Sequence, residues 1–126
     1  MAIAQTFGKF FKQKRVERGL TLREFCRVNE KDPGNISKIE RGLLPPPQTK
    51  EILIEYAAAL GIKEGTDDWL LFCDLAVTSA GKIPPDIVSN EEVMNALPVL
   101  FRTVRKEKLD EKDLEKLVKA IKRELR

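Results

Sequence analysis

The sequence predicts an all-α fold, a five-helix head followed by a helical extension, and three observations carry that prediction. Apolar residues recur at three- and four-residue spacing along almost the whole 126-residue chain. No convincing run of alternating β-branched residues interrupts the period. Helix start signals, Thr21-x-x-Glu24 and Asp32-Pro33, alternate with glycines that stop helices, Gly19, Gly42 and Gly61.

Each element follows from its own residues. The first helix is expected from Thr6 to Arg18, with Phe7, Phe10, Phe11 and Val16 on or near one face. The second begins at Thr21, whose "TLRE" is a capping box, and buries Leu22, Phe25 and Cys26. After the connector "VNEK" the third opens with Asp32 as N-cap and Pro33 in the first turn, and ends at Gly42. "LLPPPQ" cannot be helical, because three prolines remove three amide donors. The fourth helix spans about Gln48 to Leu60, with Ile52, Leu53, Tyr56, Ala57 and Leu60 facing inward. The fifth, about Thr66 to Ser79, starts on acidic residues that suit a helix N-terminus and turns Trp69, Phe72, Cys73 and Ala76 to the core.

"GKIPPD" reads as a linker turn, dividing residues 1–80 from a helical extension, 81–126. In the extension "SNEE" is a second capping box, Ser89 to Glu92. Pro98 either kinks the helix that follows or starts the next. A last helix runs from Asp110 to the end, with Leu114, Leu117, Val118, Ile121 and Leu125 on one stripe. Packing on its own domain, dimerisation, capture of a partner protein and binding to a membrane surface are all open readings of that stripe.

Composition excludes several functions. There is no His, so histidine acid–base catalysis and histidine metal ligation are absent. Cys26 and Cys73 lie far apart and read as reduced core thiols. No phosphate loop, nucleophile elbow or calcium loop occurs, so no enzyme, cofactor or metal is expected. No apolar run approaches the ~20 residues that span a bilayer, and "MAIAQTFGKFF" is not a signal peptide; a cytoplasmic protein with no membrane partner is expected. Charge is uneven: residues 1–63 hold 12 Lys+Arg and 7 Asp+Glu, residues 64–126 hold 11 and 13. A basic first half suits a polyanion, and a mildly acidic second half suits a protein partner.

Two short helices joined by four residues form a helix-turn-helix pattern. Ile36 and Ile39 would face inward, leaving Asn35, Ser37, Lys38 and Arg41 outward. Such side chains suit base edges and phosphates. Pro33 and Gly34 carry little bulk, so the backbone there can approach double-stranded DNA, and the helix N-terminus attracts phosphate.

"RVERGLTLREFC", "DPGNISKIERG" and the later "PPP" resemble the lambda-repressor-like, XRE-type DNA-binding family over about residues 6–63. The spacing from Leu20 to Gly42 matches that family without insertion. The resemblance implies a five-helix DNA-binding head. It places Pro33, Gly34 and Asn35 at the groove with Ser37 and Lys38 one turn on, and Arg41 along the backbone. Thr21 and Arg23 at the start of the second helix are further DNA-binding candidates. Arg15 and Glu40 match a pair that joins the first helix to the end of the third. The extension also looks like one found in some regulators of this family, often antitoxins. The expected protein is a sequence-specific regulator, a dimeric repressor in its simplest form and an autoregulating antitoxin holding a toxin in its most specific. The alternative is a protein-interaction module that kept the fold without DNA binding.

Three departures stand out. Leu22 occupies a position that is often a phosphate-binding Gln in the family. Glu30 and Lys31 replace a glycine and an apolar plug, so Glu30 is expected to be mildly strained in a left-handed conformation. Pro33 and Gly34 offer no bulky side chain for reading bases.

Overall fold

A computed structural model of the chain describes residues 5–124. Among them eight helices form: α1 (Phe7–Glu17), α2 (Leu22–Asn29), α3 (Pro33–Glu40), α4 (Lys50–Ala59), α5 (Asp67–Ser79), α6 (Pro85–Val88), α7 (Glu91–Glu107) and α8 (Glu111–Glu124). No strand occurs among the described residues. These residues divide into two compact units, Gln5–Pro84 and 85–124.

The first unit is built around aromatic rings. Phe11 and Phe25 meet edge-on at 5.5 Å, Phe11 and Tyr56 do so at 5.8 Å, and Phe7 lies 4.8 Å from Phe72. Phe11, Phe25 and Phe72 are wholly buried. Burial of each such ring stabilises by about 1.5–3 kcal/mol, which fixes α1, α2 and α5 around one centre. Helix α1 packs on α3 and α5, α2 on α3, and α4 on α5.

Local signals set the ends. Thr6, Thr21, Asp32 and Thr66 each accept a backbone N–H in the first turn of the helix they cap. Thr21 and Glu24 form the reciprocal capping box. The loop "PPP" is tied down, since Pro46 is buried and the Gln48 amide donates to the Ala76 carbonyl at 2.9 Å. Gln48 therefore serves the loop–α5 junction; the sequence had offered it as a secondary phosphate contact.

Several expectations need correction. Val16 is 57% exposed, and the inward residue at that turn of α1 is Arg15. Ile52 is 40% exposed, so α4 buries a narrower stripe than its apolar count suggests. Leu22, Trp69 and Cys73 are only partly buried.

In the second unit the helix cap is Asn90, which accepts from the Val93 amide at 3.1 Å; Ser89 instead donates to the Asp86 carbonyl. The cause is α6, a single turn formed where a linker was expected, which draws Ser89 into its own end. Helix α7 runs unbroken through Pro98. Asp110 and Asp113 cap α8 reciprocally, at 2.9 and 3.2 Å. No described residue of 85–124 is buried. Leu125 lies outside the described residues.

Candidate nucleic-acid interface

Helix α3 is held by its inner face and offers its outer one. Ile36 and Ile39 are buried in the core. At 3.6 residues per turn, Gly34, Lys38 and Arg41 stand on the side opposite these anchors. Pro33, Gly34, Asn35, Lys38 and Arg41 are exposed, and Ser37 is half-buried. Arg41, at the C-cap, donates from Nε to the Ser37 carbonyl at a long 3.4 Å, leaving most of its guanidinium free for an anion. At the start of α2, Thr21 and Arg23 are exposed too, although the Thr21 hydroxyl already accepts from the Glu24 amide.

The orientation of α3 depends on Arg15. Its guanidinium donates to both Glu40 carboxylate oxygens, at 2.8 and 3.0 Å, and its third nitrogen donates to the Leu20 carbonyl at 2.8 Å. The two side chains are 8% and 6% exposed. The Glu40 hydrogen bonds hold the Arg15 proton above even its ordinary high range, against the opposing effect of burial. One side chain thus joins α1, the α1–α2 turn and the end of α3, with its planar fork setting direction as well as distance.

Gly8 is a contributor that the sequence did not single out. A Cβ there would lie 2.4 Å from the Ile39 carbonyl oxygen and 2.5 Å from that of Glu40. Only glycine lets α1 approach the end of α3 this closely. An isolated glycine within the helical pattern "FGKFF" was the available signal.

The helix-turn-helix connector accounts for the residues that depart from the family pattern. Glu30 is left-handed, φ 54°, ψ 48°, and the Lys31 amide donates back to the Cys26 carbonyl at 2.8 Å, closing α2. The Lys31 ammonium sits 5.1 Å from the Tyr56 ring centre and pairs with Glu55. Where an apolar plug is usual, Lys31 lays its stem inward and carries its charge to α4. Asp32 has a contrary effect. Its carboxylate accepts the Asn35 amide at 2.9 Å, so a negative charge already occupies the N-terminus of α3. The expected attraction of that terminus for phosphate is blunted, and anion contact falls to Lys38, Arg41 and Arg23.

Away from this face, Lys14 ties α1 to the start of α5. It bonds Asp68 at 2.7 Å, reaches Glu17 at 3.3 Å and lies over the Phe10 ring. The Asp68 hydrogen bond raises its pKa.

A helix-turn-helix family model matches residues 11–66. Residues 11–66 belong to the XRE-type, lambda-repressor-like helix-turn-helix family. It is a family of DNA-binding transcriptional regulators, not of enzymes. The matched helix-turn-helix segment takes in α2, α3, α4 and most of α1, including Arg15 and Glu40. No curated protein and no solved structure matches the chain. No helix among the described residues is long and apolar enough to cross a membrane.

Proposed function

We propose that this protein is a sequence-specific transcriptional regulator that inserts α3 into the DNA major groove and represses by occupying its operator. Residues 1–80 are the DNA-binding domain and 81–126 the extension used for assembly. Lys38 is the base-reading side chain, with Gly34 and Pro33 allowing close approach. Asn35 and Ser37 give further polar contacts, and Arg41, Arg23 and Thr21 hold phosphates. Two copies related by a two-fold axis place two α3 helices about 34–36 Å apart, one helical turn of DNA.

The observation that carries this reading is the Arg15–Glu40 fork, which fixes α3 with its polar face outward. A helix needed only for packing gains nothing from a buried ion pair, whose net contribution to stability is small. In the antitoxin form of the reading, the extension also grips a toxin. The absence of a bulky reader at Pro33 and Gly34, together with the carboxylate of Asp32, favours the second reading, a protein-interaction module without DNA affinity.

Selection from a random duplex pool separates the two. Enrichment of an inverted repeat with half-sites one helical turn apart supports the regulator. A pool that stays random after several rounds supports the interaction module. Co-purification of a neighbouring gene product tests the antitoxin form.

A further inference from the structure

Helix α8 carries an apolar stripe that the chain leaves uncovered. Leu117 is 39% and Ile121 50% exposed, and Leu114 and Val118 are only partly buried. Charge is segregated along the same helix. Glu111 and Asp113 occupy the first turn, Lys122 and Arg123 the last.

We propose that α8 pairs antiparallel with α8 of a second copy of this chain, about a two-fold axis passing between Leu117 and Val118. The proposal rests on the dimer reading above and supplies its contact. Such an axis sets Leu114 against Ile121 of the second copy and Leu117 against Val118, so the four apolar positions of each copy meet one another. It also brings each acidic first turn beside the other copy's basic last turn, twice by symmetry. Glu111 and Lys122 lie on the same flank of the stripe at 3.6 residues per turn, which is the placement an antiparallel pair needs. The helix dipoles oppose one another as well. A parallel pair would set Glu111 and Asp113 against their own copies, and Lys122 and Arg123 against theirs, repulsive at both ends. Lys112, Lys116 and Lys119 lie away from the stripe and stay in water. The complementary occupant of this face is therefore the face itself.

The test measures mass without DNA, by sedimentation or light scattering across a concentration series of the full chain. Wild type should move from monomer to dimer as concentration rises. The variants E111K/D113K and K122E/R123E, each with like charge at both ends of α8, should associate at least tenfold more weakly alone. Mixed in equal amounts they should recover the dimer, because each then meets an opposite partner; that recovery also shows that both still fold. A wild type that stays monomeric, variants that associate like wild type, or a mixture without recovery would overturn the pairing. Duplex binding is scored separately. A dimer that binds no duplex supports the pairing and removes the DNA reading, whereas a monomer that binds duplex does the reverse.

Discussion

Arg15 and Glu40 form a buried ion pair that ranks first among residues for fixing the interface. Glu40→Ala would leave the guanidinium buried without its partner, at a cost of about 3–5 kcal/mol, while replacing both with apolar residues of similar volume should cost far less. Thermal melting of the two variants checks this, and equal losses would show that the pair does not act as a unit. Glu30 gives a prediction of opposite sign. A side chain at φ 54° is disfavoured by roughly 1–2 kcal/mol relative to glycine. Part of that is offset because glycine loses more freedom on folding. Glu30→Gly should therefore raise the midpoint of melting slightly. A fall would mean that the Glu30 side chain holds contacts that compensate for its backbone.

Among elements, the placement of α3 is set by how closely α1 approaches it. Gly8→Ala would put a methyl group against two carbonyl oxygens that cannot move without shifting the end of α3. Overpacking of this kind costs about 1–3 kcal/mol, and the same displacement should weaken operator binding; a melt and a gel shift together measure both. The starts of α2 and α3 were legible in the sequence because capping is local: Thr21, Glu24, Asp32 and Pro33 act within one turn of where they stand. Elements that depend on a neighbour were less legible. Whether Ser89 or Asn90 caps α7 depends on α6, which the prolines at 84 and 85 had concealed. Hydrophobic periodicity drew attention to Val16 as the inward residue, because a pattern of apolar residues cannot register a buried charge such as Arg15. The resemblance, not the period, identified Arg15. Its bond to the Leu20 carbonyl and the approach at Gly8 could be seen only once α1, the following turn and α3 were in place.

For the whole molecule, the titrating groups define where stability changes with pH. The chain has no His, and its resolved upward shifts are on Lys14, Cys26 and Cys73. Lys14 is raised mainly by its hydrogen bond to Asp68, and the two thiols mainly by burial. A group whose folded pKa is raised contributes fully below its unfolded value and less as pH rises past it. Stability should thus be level through neutrality and decline above the ordinary thiol value of 9.0, further above the lysine value of 10.5. A melting series from neutral to alkaline pH checks this, and a peak in stability near pH 6 would contradict it. Function at this scale rests on the basic first half presenting one orientated face to DNA. The most direct test is competition between the selected operator and its single-base variants, measured with wild type and Lys38→Ala. If Lys38 reads a base, the substitution should cost about 1–3 kcal/mol on the operator and erase discrimination at one position of each half-site. Log affinity should also fall with log salt by about 0.9 per phosphate neutralised. Binding that loses strength equally on every sequence, with discrimination unchanged, would contradict insertion of α3 into the groove.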